Sequence, residues 1–158
     1  MEGSPGAWIR PEPVVGPAPG VEFASHGARL VAYIVDTVIQ GVLSIAVVLV
    51  SFVVAFVFPP LAILGVLAFL AIGIGYFPYF WTKSGQTPGM KMMGIKVVRD
   101  VDGGPVTSGQ AILRFIGYWV SGLVFYLGYI WIFVDSRRRG WHDLIAGTVV
   151  VSAGPDSR

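Results

Sequence analysis

The chain contains no cysteine, which excludes a disulfide framework, a thiolate metal site and a cysteine nucleophile, and leaves the redox compartment unreadable from thiols. Charge is nearly as scarce. Only 13% of the 158 residues are charged and 54% are hydrophobic, against roughly 25% charged in an ordinary soluble domain, a balance that excludes a soluble globule. The formal charge of +2 rests on 11 Lys and Arg against 9 Asp and Glu. That is too few cations for a nucleic-acid footprint, and they gather beside the apolar segments instead. His142 and Asp143 form one pair with no further His, Glu or Cys ligand nearby, so no metal site is expected. Residues 85–89 lack the spacing and the Gly-Lys-Ser/Thr ending of a phosphate loop, which removes a nucleotide. No cofactor is expected, and with no nucleophile beside a base the chain is not expected to be an enzyme.

What the chain does have is long apolar runs. Residues 1–27 come first, with Pro5, Pro11, Pro13, Pro17 and Pro19 among Gly3, Gly6, Gly16 and Gly20. Such a composition buries too little apolar surface to offset its ordering entropy, so a disordered tail is expected. It lacks the basic, apolar and small-residue regions of a cleavable signal peptide. Residues 37–58 then run without a charge or a proline, and 22 residues at about 1.5 Å each reach roughly 33 Å, enough for a bilayer core. This predicts a first transmembrane helix beginning near Gly27. Pro59 and Pro60 break it, and the uncharged run of residues 61–81 predicts a second helix returning antiparallel through a tight turn.

Residues 83–108 are polar, with Lys83, Lys91, Lys96 and Arg99. Alternation over residues 95–101, ahead of the turn residues 102–105, predicts a short surface strand. Residues 147–151 read as a second strand able to pair with residues 95–98. Thr107 and Gln110 match a capping box, so a helix should start near Ser108. The third apolar run, residues 115–134, is interrupted by Gly117, Ser121, Gly122 and Gly128 and suits either a span or a re-entrant hairpin. The positive-inside rule places the tail and the lysine-bearing loop in the cytoplasm, and a full third span would put Arg137, Arg138 and Arg139 outside. The reading therefore leans to a re-entrant segment with both termini cytoplasmic. The expected architecture is an all-α membrane protein of the cell membrane: a transmembrane hairpin, a third apolar segment and a small cytoplasmic β element over residues 28–152, with residues 153–158 as a C-terminal tail.

At 100° per residue, Arg29, Tyr33, Asp36, Gln40, Ser44 and Ser51 fall in one stripe about 80° wide on the first helix. Lipid offers no hydrogen-bond partners, so the stripe should turn toward another helix or a wet path. Asp36 is the costly member, at about 2.5–3.5 kcal/mol for a carboxylate at a helix centre. Arg29, two turns earlier, is long enough to lean toward it. A carboxylate held between desolvation and a cation is what proton-coupled transport uses. Asp135 and Asp143 are further ion-site candidates beside arginines, and Arg137, Arg138 and Arg139 read as a cytoplasmic anchor or a site for lipid head groups.

These residues together resemble the RDD family of small bacterial membrane proteins, named for one arginine and two aspartates. The resemblance rests on Gly27, Ala28, Arg29, Leu30 with Tyr33, Ile34, Val35, Asp36; on Gly85, Gln86, Thr87, Pro88, Gly89, Met90 and Gly94, Ile95, Lys96, Val97, Val98; and on Asp135 with Arg138, Arg139, Gly140, Trp141, His142, Asp143, Ala146, Gly147 and Thr148. It implies that Arg29 and Asp36 are the signature arginine and first aspartate, with Asp135 or Asp143 as the second. It also implies transport of a small ion or solute, with cation/proton exchange attributed to some members. Two or three spans enclose no wide path alone, so the expected partners are the bilayer and either further copies of the chain or another membrane protein. The rival expectation is an accessory or assembly subunit that packs its polar stripe against another membrane protein and conducts nothing.

Overall fold

The computed structural model describes residues 16–17 and 21–154. The expected tail over residues 1–15 and 18–20, and the last four residues, lie outside the described residues. The first long helix, α1 (His26–Val57), opens where Ser25 accepts a hydrogen bond from the Ala28 amide at 3.1 Å. It closes where Phe58 donates back to Val54 at 2.8 Å, just before the two prolines. A 3-10 turn over Pro59–Leu61 reverses the chain into α2 (Ala62–Ser84). Ser51 faces Gly65, Gln40 reaches Ile72 and Asp36 reaches Tyr76. Numbers falling along one helix thus meet numbers rising along the other, and the two run in opposite senses. Both helices are long and apolar enough to cross a membrane.

After α2 the chain makes a one-turn helix, α3 (Pro88–Met92), which the polar character of this stretch had left unpredicted. Thr87 caps it and Pro88 occupies its first turn, where no amide is needed. Strand β1 (Ile95–Arg99) pairs antiparallel with β2 (Thr148–Ser152), Val97 opposite Val150, in agreement with the expected pairing. Between them, α4 (Ser108–Leu123) begins on the expected capping box, with Gln110 donating its amide to Thr107 Oγ1 at 3.3 Å and Thr107 donating to Gln110 Oε1 at 3.2 Å.

The third apolar run is not one straight helix. It breaks after α4, turns by 112° and continues as α5 (Leu127–Ile130) and a 3-10 turn over Trp131–Phe133. Phe125 and Tyr126 make the corner with left-handed backbones, φ 47° and 60°. The Tyr129 hydroxyl, donated to the Tyr118 carbonyl at 2.8 Å, ties the returning arm to α4. Helix α4 carries its apolar side chains outward at Ile112, Ile116, Trp119 and Leu123, and buries Ala111, Arg114, Gly117 and Ser121. The last helix, α6 (Trp141–Ala146), packs against that inner face.

The core lies at one end of the hairpin, where Ala24, Ala32, Trp81, Met90, Val97, Ala111 and Val150 join α1, α2, α3, α4 and the sheet. Residues 22–24, which the expected tail included, pair with β2. Phe23 bridges Val151, Ala24 donates to Val150 at 3.0 Å and Ser152 donates to Glu22 at 2.9 Å. Residues 22–24 thereby satisfy the free edge of β2, a backbone requirement that proline content does not register.

Candidate functional site: two buried carboxylates

Two aspartates are almost fully buried and are held in opposite ways. Asp36, 1% exposed, sits two turns beyond Arg29 on the α1 stripe and faces α2 and α3. Tyr76 donates its hydroxyl to Asp36 Oδ1 at 3.0 Å, the Gly89 amide donates to the same oxygen at 2.8 Å, and the Thr87 hydroxyl donates to Oδ2. Thr87 Oγ1 in turn accepts the Met90 amide at 3.2 Å, so the cap of α3 is also a ligand of the carboxylate. Hydrogen bonds to a charged group contribute about 1.5–3 kcal/mol each. Three of them offset the insertion cost of about 2.5–3.5 kcal/mol without a cation. Among the described residues no Lys, Arg or His pairs with Asp36. Close approach is possible because residue 89 is glycine: a Cβ there would stand 2.3 Å from the Ala32 carbonyl and 2.9 Å from the Asp36 carboxylate.

Asp143, on α6 and 0% exposed, is held by cations. Arg29 Nη2 donates to Oδ2 at 2.5 Å, and Arg114 Nη1 donates to Oδ1. The Gly140 amide adds a bond to Oδ2 at 3.1 Å, while Arg114 also donates to Thr148 Oγ1 at 2.7 Å. Burial pushes the Asp143 carboxyl up, but Arg114 and Arg29 together outweigh it and hold the group well below the usual carboxylate range. Two guanidiniums around one carboxylate also weigh on His142, whose Nε2 is 3.5 Å from Asp143 Oδ2. Burial, and secondarily the two arginines, hold its imidazole down to about 3 against the attraction of Asp143. His142 is therefore a neutral ring, stacked on Tyr118 at 4.2 Å, and packed so tightly that a Cβ on Gly117 would lie 2.6 Å from its Cα.

Arg29 thus turns to Asp143 and to the Arg138 carbonyl rather than to Asp36, which corrects the expected lean along α1. Tyr33, 44% exposed, lies over the rings of Tyr118 and Phe77 at 6.2 and 6.4 Å. Gln40 donates to the Ile72 carbonyl of α2 at 3.0 Å. Asp135 belongs to a different cluster: it accepts from the Arg137 and Arg139 amides and from the Arg139 guanidinium, through Nε at 3.0 Å and Nη2 at 2.9 Å. Those bonds with Arg139 keep its carboxyl below the usual range. Arg137 and Arg139 both reach Asp100 Oδ2 at 2.9 Å. Arg138, with φ 55°, points its side chain at the Phe23 and Ala24 carbonyls, 3.3 Å each. The structure therefore brings Arg29 to Asp143, and leaves Asp36 and Asp135 each in separate surroundings.

The sequence reading missed Arg114, Tyr76, Thr87, Gly89 and Thr148 as site residues. Arg114 carried a usable signal, since it shares the inward face of α4 with Ala111 and Ser121, and the stripe reasoning applied to α1 would have marked it. Thr87 and Gly89 fell in the run set aside as a nucleotide motif.

The RDD family matches residues 23–147. Among curated relatives, the uncharacterized protein YxaI of Bacillus subtilis (strain 168) is 37% identical over 86 residues, 54% of this chain and 56% of that protein. The uncharacterized protein RP437 of Rickettsia prowazekii (strain Madrid E) is 35% identical over 78 residues, 49% of this chain and 43% of that protein. The chain thus spans about half the length of the curated relatives it matches. No solved structure matches it. The family match extends from the strap beside β2 to the glycine that follows α6, enclosing both buried aspartates, and the chain belongs to the RDD family.

Proposed function

We propose that this protein is a multi-pass membrane protein that transports a small ion, by cation/proton exchange at Asp36, as an oligomer, with both termini in the cytoplasm. The observation that carries the reading is the contrast between the two aspartates. Asp143 has its charge fixed by Arg29 and Arg114. Among the described residues Asp36 is met by neutral donors alone, so a proton or a monovalent cation would cancel its charge without breaking an ion pair. The pairing of Arg29 with Asp143 also favours Asp143 over Asp135 as the second signature aspartate. On this reading Arg29, Arg114 and Asp143 lock the cytoplasmic end of α1 to α4 and α6, while Asp36 exchanges its ligand.

The bent third segment supports the re-entrant reading, because a 112° turn returns α5 toward the end where α4 began. The accessory-subunit alternative needs a stripe free to pack against another protein, and Asp36 and Gln40 instead spend their hydrogen bonds on α2 and α3. A hairpin and one bent segment enclose no path alone, so the transport reading calls for further copies around it. The test is flux in proteoliposomes of the purified chain under Na⁺, K⁺ and Li⁺ gradients, read with an internal pH dye. Cation-driven proton movement by the wild type, lost in a folded Asp36→Asn variant, is the expected result. No flux under any gradient from correctly inserted wild type would overturn the reading.

A further inference from the structure

Arginine and lysine are used differently in this chain. Every described arginine is committed to an acceptor: Arg29 and Arg114 to Asp143, Arg99 to Asp102, Arg137 and Arg139 to Asp100, and Arg138 to two backbone carbonyls. The three described lysines have no carboxylate partner among the described residues. Among the described residues Lys83 donates only to the hydroxyl of Tyr79, one turn earlier on α2, at 2.9 Å, and lies 5.2 Å from the centre of that ring. The Val97 amide donates to Gly85 at 2.8 Å and so brings β1 against the end of α2.

Lys83 stands at the rim of a groove of about 360 Å³ between the end of α2 and the start of α4, lined by Pro78, Tyr79, Thr82, Lys83, Ser108 and Ile112. Its polar groups lie at one end, at Lys83, Thr82 and Ser108. Its other walls are Pro78, the Tyr79 ring and Ile112, and they continue into the outward apolar faces of α2 and α4, where Ile74 and Ile116 are exposed. A free phosphate would use the lysine end and leave the apolar walls bare. A peptide side would need acceptors and donors along the walls, and Thr82 already donates its hydroxyl within α2, to the Pro78 carbonyl. The ligand that fits both ends is an amphiphile with an anionic head.

We propose that this groove seats one anionic phospholipid of the cytoplasmic leaflet, with its phosphate against Lys83 and one acyl chain along Pro78, Tyr79 and Ile112. The site rests on the membrane placement proposed above and is independent of transport. Arginines locked in internal pairs hold the fold, and Lys83, whose compact charge sits on a flexible stem, meets the head group.

The experiment is native mass spectrometry of the full chain, extracted from the membrane fraction in a non-ionic detergent and titrated with phosphatidylglycerol, phosphatidylcholine or inorganic phosphate. Wild type is expected to retain phosphatidylglycerol in preference to phosphatidylcholine, and inorganic phosphate at equal concentration is expected not to displace it. Lys83→Gln should weaken retention by about fivefold, the effect of one lysine near an anionic surface. Lys91→Gln, the same loss of charge at an exposed position of α3, should change it by less than about twofold. Equal losses in the two variants, no preference between the lipids, or displacement by phosphate would overturn the lipid site and leave the membrane reading standing. Recovery of the chain outside the membrane fraction would overturn both.

Discussion

Replacing Asp143 with asparagine removes the one anion between two buried guanidiniums while keeping the side-chain volume. Arg114 is 1% exposed and Arg29 10%, so neither can recover its hydration without moving α4 or the start of α1. Breaking a buried pair from one side costs about 3–5 kcal/mol. Asparagine keeps an acceptor for the Gly140 amide, which places the expectation toward the lower half of that range. At about 2–4 °C per kcal/mol for a chain of this size, Asp143→Asn should lower the midpoint of thermal unfolding by about 10 °C. Trp81 is a built-in reporter, since the Arg114 guanidinium lies 4.9 Å from the centre of its ring, and tryptophan fluorescence in detergent follows the transition. Adding Arg114→Met to Asp143→Asn removes one of the two stranded cations, so the double variant should unfold at a higher temperature than Asp143→Asn alone. Asp36→Asn strands no cation and should cost about 1–2 kcal/mol, the loss of charge assistance in its hydrogen bonds. An Asp143→Asn midpoint within about 2 °C of wild type, or a double variant no better than the single, would refute the assignment of Asp143 as an electrostatic lock.

Acid should weaken the fold through His142. Its folded imidazole stays neutral down to about 3, whereas an unfolded imidazole takes a proton near 6.5, so between those values the unfolded chain binds more protons. Stability therefore falls as pH is lowered through that window, by on the order of 4 kcal/mol in total. His142→Gln should flatten the slope between about pH 6.5 and 4 in denaturation series, and an unchanged slope would contradict the assignment. Gly89→Ala places a methyl 2.3 Å from the Ala32 carbonyl and 2.9 Å from the Asp36 carboxylate. It should push α3 off α1, cost about 1–3 kcal/mol and reduce flux in proteoliposomes, while normal flux would show that α3 does not hold the site. Ser152, exposed at the end of β2, gives a topology probe in a chain without native cysteine. Ser152→Cys should resist an impermeant thiol reagent in intact cells and react after permeabilisation. Labelling in intact cells would place the C-terminus outside.

Features governed by local rules were legible in the sequence. The spacing of Arg29, Asp36 and Gln40 put them on one face of α1, the prolines at 59 and 60 marked the reversal, and Thr107 with Gln110 marked the start of α4 because a capping box needs only four residues. Alternation in residues 95–98 and the valines at 149–151 was enough to pair two strands. The partners of the charged side chains were not legible. Arg29 and Asp143 are 114 residues apart, and helical periodicity assigns a face without saying which element will cover it. The three consecutive arginines read as an anchor by composition, yet their ends diverge: the left-handed backbone at Arg138 sends its side chain to residues 23 and 24, and those on either side go to Asp100. Helix α3 is five residues long, shorter than any periodic window, and it supplies the Gly89 amide for Asp36, so half of that site was out of reach of pattern reading.

The division of labour between the two buried aspartates is tested most directly by infrared difference spectroscopy of the chain in lipid, comparing wild type, Asp36→Asn and Asp143→Asn as pH is lowered and Na⁺, K⁺ or Li⁺ is added. A protonated-carboxyl stretch should grow in acid, shrink when at least one of the cations is added, and vanish in Asp36→Asn, while any folded Asp143→Asn protein keeps it. A band that survives Asp36→Asn, or one that no cation affects, would contradict exchange at Asp36.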